Sequence, residues 1–180
     1  ILYAAEQLIR RASWRVEPAG SKRVDKQAAE FLEQCMNDMS TTWTDTITEI
    51  LSMIVYGWSY HEIVYKIRKG YTRDPKTRSQ YNDGRIGWRK LSGRSQETLF
   101  DWVFDDDGGI KGMRQLAPPD YKLVTIPIEK ALLFRTKADR NNPEGRSMLR
   151  NAYRPWFFKK RIEEIEGIGI ERDLAGLPVL

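Results

Sequence analysis

With 180 residues, the chain has room for one ordinary domain carrying helical attachments. Hydrophobic residues at 41% and charged residues at 31% exclude a disordered chain. The longest apolar run, around Ile47 to Tyr56, is interrupted by Glu49 and Ser52 and falls short of the roughly 20 residues a bilayer requires. The formal charge of +5 is compatible with contact to nucleic acid without establishing it.

The chain starts at Ile1 and stops at Leu180 after an apolar Gly-Leu-Pro-Val run, and is read as an internal piece of a longer polypeptide. Leu2, Ala5, Leu8, Ile9 and Ala12 recur at helical spacing, with Arg10 and Arg11 at the end where cations suit the helix dipole. Ser13 to Pro18 alternates, Trp14 and Val16 against Arg15 and Glu17, which predicts a short strand. Asp25 is the expected cap of a second helix, whose stripe is Ala28, Phe31, Leu32, Cys35, Met36 and Met39. Cys35 is the only cysteine, so no internal disulfide forms, and its place in the stripe predicts a buried small hydrophobe. A further helix is expected from about Thr44 to Val55, stopped by Gly57.

From Trp58 to Lys69 the period changes to two. Ile63, Tyr65 and Ile67 fall on one face, and Glu62, Lys66 and Arg68 on the other. The polar stretch from Gly70 to Gly84 reads as a mobile surface hairpin. Short strands are expected over 86–91, 98–104, 110–115, 121–126 and 131–135, with 105–109 as a turn; the short links imply a mostly antiparallel sheet. Residues 143–147 form a loop ending on Ser147 as N-cap, and a helix carrying Leu149, Ala152, Tyr153, Trp156, Phe157, Ile162 and Ile165 follows. Pro155 should bend or restart it. The fold class is therefore α+β, in three parts: a helical part over 1–57, a β-rich core over 58–142 and a helical segment over 143–180.

Catalytic constellations are not legible. His61 is the only histidine and lies in the long strand, so it has neither a zinc partner nor a triad spacing and is read as structural. Asp105, Asp106 and Asp107 lack the alternating ligands and terminal Glu of a calcium loop and read as a solvated turn. No phosphate-binding glycine loop is present. Cations cluster in the 70–85 region (Arg73, Lys76, Arg78, Arg85) and in the last helix, where Arg146, Arg150 and Arg154 suggest one basic stripe. Lys159, Lys160 and Arg161 are followed at once by Glu163, Glu164 and Glu166, a spacing that suits ion pairs within or between subunits. No catalytic, metal or cofactor residue is expected.

An ordered set of short motifs carries a resemblance. These are Gly57 to Tyr65, Trp88 to Leu91, Phe100 to Gly109, Ile126 to Lys130, Leu132 to Phe134 and Asn142 to Ser147. Leu149 to Tyr153, Trp156, Lys159, Glu171-Arg172 and Gly176 to Pro178 continue it. In this order they resemble the portal proteins of tailed bacteriophages, particularly the Mu-like group. The resemblance implies a structural, non-enzymatic virion subunit, with a β-rich wing handing over at Asn142 to Ser147 to helices that run toward a channel. It further implies a dodecameric ring at the capsid vertex, assembled in the host cytoplasm. The implied partners are capsid protein, terminase, neck or tail adaptors and, non-specifically, double-stranded DNA, with no membrane. On that reading Arg150, Arg154, Lys159, Lys160, Arg161, Glu163 and Glu164 belong to subunit interfaces or face the channel. The rivals are a metal-dependent phage nuclease, which loss of cleavage in Asp106→Ala would locate, and a different head-tail adaptor.

Overall fold

The computed structural model describes residues 2–174 and 176. Ile1, Leu177 and Pro178, on which the expected first helix and the last motif partly fall, lie outside them. Helix α1 spans Leu2–Arg10, α2 Arg23–Asn37, α3 Trp43–Ile50 and α4 Met53–Tyr56. Six strands follow: β1 Trp58–Ile67, β2 Ile86–Arg94, β3 Leu99–Phe104, β4 Ile110–Ala117, β5 Lys122–Pro127 and β6 Ala131–Arg135. A 3-10 turn over Met148–Ala152 leads into α5, Tyr153–Leu174.

The strands make two three-stranded sheets rather than one, in the orders β2-β1-β6 and β3-β4-β5, and every pairing is antiparallel. The α+β class stands. Between the sheets lies a core of Trp58, Tyr60, Met113, Ile126 and Ala131, bordered by Leu99, Trp102, Ile128 and Leu133. The Tyr60 hydroxyl donates to the Ile126 carbonyl across this core at 2.8 Å. On the other face of the first sheet, Ile47, Ile50, Leu51 and Ile54 pack with Leu2, Trp43, Met53 and Phe134. The period of β1 explains the sandwich: Trp58 and Tyr60 point to the second sheet, while Ser59 donates to the Ile50 carbonyl and His61 sits edge-on to Phe134.

Several local expectations need correction. Residues 13–18 form no strand; Trp14 instead meets Trp43 edge-on at 6.3 Å, so a packing contact sets this segment's path. Lys22 occupies the N-cap of α2, and Asp25 sits in the first turn, where its charge suits the helix dipole without capping it. The single helix expected over 44–55 breaks at Leu51–Ser52 into α3 and α4, and Thr42 caps α3 by accepting from the Asp45 amide at 3.1 Å. Gly57 ends α4 at φ +98° as expected. Cys35 is buried, as its stripe position required.

The outer half of β1 is inverted relative to simple patterning. Lys66 and Arg68 are buried, whereas Tyr65 and Ile67 stand nearly half exposed. The Lys66 ammonium meets Asp38 Oδ2 at 3.0 Å and also donates to the Asp38 and Arg78 carbonyls. Arg68 lies against the rings of Tyr81 and Phe31, bonds Gln34 at 2.9 Å and pairs with Asp83 at 2.8 Å. Buried charges survive only when paired in this way. The same contacts overturn the expectation of a loose 70–84 hairpin. Asp38 accepts from the Ser79 hydroxyl at 2.6 Å and the Gln80 amide at 2.8 Å, and the Gly70 amide donates to the Tyr81 carbonyl. The segment is pinned to the body at its return limb.

Candidate assembly surface

The handover from sheet to terminal helix is built on two glycines that cross. Gly57 closes α4 and Gly145 lies in the loop after β6; both have positive φ, +98° and +59°. A Cβ added to Gly145 would lie 2.4 Å from the Gly57 carbonyl oxygen, and one on Gly57 would lie 2.6 Å from that of Glu144. Only bare backbone fits on either side of this crossing. Thr136 fastens it: its amide donates to the Gly57 carbonyl at 3.0 Å, and its hydroxyl proton goes to the Arg146 carbonyl at 2.6 Å, with the Gly57 oxygen a longer second contact at 3.2 Å. Ser147 donates to the Val55 carbonyl while capping the 3-10 turn through the Leu149 amide. Pro143 is buried. Asn141 donates to the Gly108 carbonyl at 2.7 Å, so the loop grips both sheets. The tight geometry expected of Gly145 is present.

From this anchor α5 runs about 33 Å, at 1.5 Å per residue. The break expected at Pro155 falls earlier, at Tyr153, and Pro155 sits in the first helical turn, where its missing N–H needs no partner. The single basic stripe also dissolves. Arg146 lies in the loop bonded to Asn151, Arg150 in the 3-10 turn and Arg154 in α5, so they share no helical period. Lys159 pairs with Glu163 at 3.5 Å and Arg161 with Glu164 at 3.0 Å, both within the helix. Arg154, Lys160 and Arg161 lie near the rings of Phe158, Trp156 and Phe157. All seven expected site residues are thus on one connected arm, and all are exposed.

The sequence placed Tyr153, Trp156, Phe157, Ile162 and Ile165 in this helix, but their exposure, and the roles of Phe158, Ile168 and Ile170, went unread. Tyr153, Trp156, Phe157, Phe158, Ile162, Ile165, Ile168 and Ile170 are all exposed, from 39% at Phe157 to 69% at Ile165. At about 100° per residue they are spread around the whole circumference instead of forming one stripe. Charged residues are interspersed among them, so no single apolar stripe faces the body of the chain. Large apolar side chains left exposed on several sides of one helix suit contact with other chains in a larger assembly.

His61 and Asp105 are committed to structure. His61 is buried, and that burial pushes its imidazole down to about 4. Asp105 accepts from the Asp107 amide and closes the β3–β4 turn through the Gly109 carbonyl. Among the described residues, no three His, Cys, Asp or Glu side chains converge as metal ligands, and no helix is long and apolar enough to cross a membrane.

No curated protein matches the chain. A family model described as the portal protein of Mu bacteriophage matches residues 4–172, taking in both sheets, the glycine crossing and nearly all of α5. The chain belongs to the Mu-type bacteriophage portal protein family, a structural family of the virion.

Proposed function

We propose that this chain forms part of a ring-shaped head-tail connector subunit, through which phage DNA is packaged and ejected. One observation carries the reading: a helix that follows a tightly held loop leaves large apolar side chains exposed on several sides, between 39% and 69% each. A two-fold dimer covers one patch with its copy. A ring brings two different surfaces of each subunit into contact and can cover opposite sides of one helix. Arg150, Arg154, Lys159, Lys160, Arg161, Glu163 and Glu164 then lie between neighbouring subunits or toward the channel, where cations would meet DNA phosphates without reading sequence. Capsid protein, terminase and neck or tail adaptors are the partners this role requires, and assembly takes place in the host cytoplasm before incorporation at the capsid vertex. The task is geometric and needs no cofactor.

Electron images and mass measurement of the full-length protein test this. The expected result is a closed ring with an axial hole, dodecameric by the family likeness, which Ile165→Glu breaks into smaller species. A monomer whose α5 remains uncovered overturns the reading.

A further inference from the structure

The 70–84 segment encloses a second feature, away from α5. Between it, the end of α2 and β2 lies a pocket of about 380 Å³. Its lining carries three cations, Lys66, Arg78 and Arg89, against the single carboxylate of Asp38. That carboxylate is already occupied by Lys66, Ser79 and Gln80, and the ammonium of Lys66 is spent on Asp38 and the Arg78 carbonyl. Two guanidiniums are left without a carboxylate, Arg78 donating only through Nε to the Thr72 carbonyl at 3.3 Å. Among the described residues neither Arg78 nor Arg89 forms an ion pair, and the Arg89 Nε is buried with no hydrogen-bond partner.

We infer that this pocket receives a glutamate or aspartate side chain of a protein partner. Two guanidiniums at one concave spot match a single carboxylate, which accepts paired N–H donors. Met39, Tyr71 and Pro75 supply apolar wall for the methylene stem of such a side chain. A DNA duplex would instead need a row of cations along successive phosphates. The pocket is set before the ligand arrives: Asp38 fixes Ser79 and Gln80, and Lys66 fixes the Arg78 carbonyl, so binding orders little new backbone. The larger groove beside Arg68 does not compete for this role, because Glu30 and Asp83 balance Arg68 and Arg85 there.

The test is fluorescence anisotropy of the full chain with a labelled hexaglutamate peptide, with a hexaglutamine peptide as reference. Arg78→Gln combined with Arg89→Gln should weaken hexaglutamate at least about tenfold, the scale for removing donors from an enclosed charge pair. Arg73→Gln combined with Lys76→Gln, on the same loop but outside the pocket lining, should change it less than about twofold, as exposed charges do. Unchanged far-ultraviolet circular dichroism and melting temperature in both double variants exclude misfolding. Equal losses in the two pairs, equal binding of hexaglutamine, or a short DNA duplex held more tightly through the same two arginines each overturns the assignment.

Discussion

Replacing Gly145 by alanine tests the anchor on which the position of α5 depends. The new Cβ would stand 2.4 Å from the Gly57 carbonyl oxygen and 3.2 Å from that of Lys137. To reach the shortest separation that real Cβ atoms show, the two backbones must part by about 0.6 Å. That movement strains the Thr136 amide bond to the same Gly57 oxygen and the longer hydroxyl contact beside it, together about 1–2 kcal/mol. The positive φ of +59° adds about 1–2 kcal/mol for any residue with a Cβ. The combined loss should be about 3 kcal/mol, or about 6–12 °C in melting temperature for a chain of this size. Gly108→Ala is the control: its φ is +78°, but its Cβ would meet nothing within 4 Å, so it should lose only the conformational part, about 1–2 kcal/mol. Urea and thermal unfolding of the two variants decide the matter. If Gly145→Ala costs no more than Gly108→Ala, the crossing is not tight and the argument for a rigid handover fails.

The other predictions concern the buried polar groups and the core. Lys66→Met leaves Asp38 buried without its cation, so it should cost about 3–5 kcal/mol and speed tryptic cutting at Arg73 or Lys76; an unchanged digestion rate would show that the clamp does not hold the loop. Burial alone would raise the Asp38 carboxyl, but the Gln80 amide, the Ser79 hydroxyl and Lys66 together hold it below the ordinary range. Its stabilising contribution is therefore complete above the unfolded value of about 3.9 and is lost as pH falls through the lower folded one, which loop proteolysis across acid pH follows. His61 runs in a higher window. With a folded value of about 4 against about 6.5 unfolded, stability is complete above about pH 6.5 and falls by about 3 kcal/mol toward pH 4. Urea midpoints at pH 7 and 4.5 should differ less in His61→Phe than in the parent, and parallel shifts would refute the assignment. Met113→Ala, at a fully buried site between the sheets, should cost about 2–5 kcal/mol, against about 1–3 kcal/mol for Tyr60→Phe, which strands the Ile126 carbonyl; calorimetry ranks them.

Local periodicity made much of this fold legible. The strand over Ala131–Arg135, the turn at Asp105 and the stop at Gly57 are all decided within a few residues, by alternation or by glycine. What sequence could not supply was long-range pairing. Nothing local says that β6 returns to β1 while β3 to β5 form a separate sheet, because both arrangements satisfy the same alternation. Lys66 and Arg68 illustrate the same limit. Their charge marks a solvent face until Asp38, 28 residues earlier, and the aromatic rings of Phe31 and Tyr81 are known to be there. The seven charged residues expected at subunit interfaces or facing the channel all stand exposed on one arm, with exposed isoleucines between them.

The anchoring loop and the apolar side chains of α5 depend on each other. Exposed apolar side chains on a swinging helix would be a poor docking element, since ordering the helix would consume much of the gain from burying them. Here the loop that leads into α5 is held before any partner arrives, by a glycine crossing, a Gly57 carbonyl bound by Thr136 and a tie to both sheets. Binding energy from covering Trp156, Phe158, Ile162 and Ile165 can then go into association. A uniform apolar surface gives no register by itself, because one helix can slide on another. On the ring proposed above, Arg154 and Lys160, which form no ion pair among the described residues while Lys159 and Arg161 are paired within the helix, would supply that register.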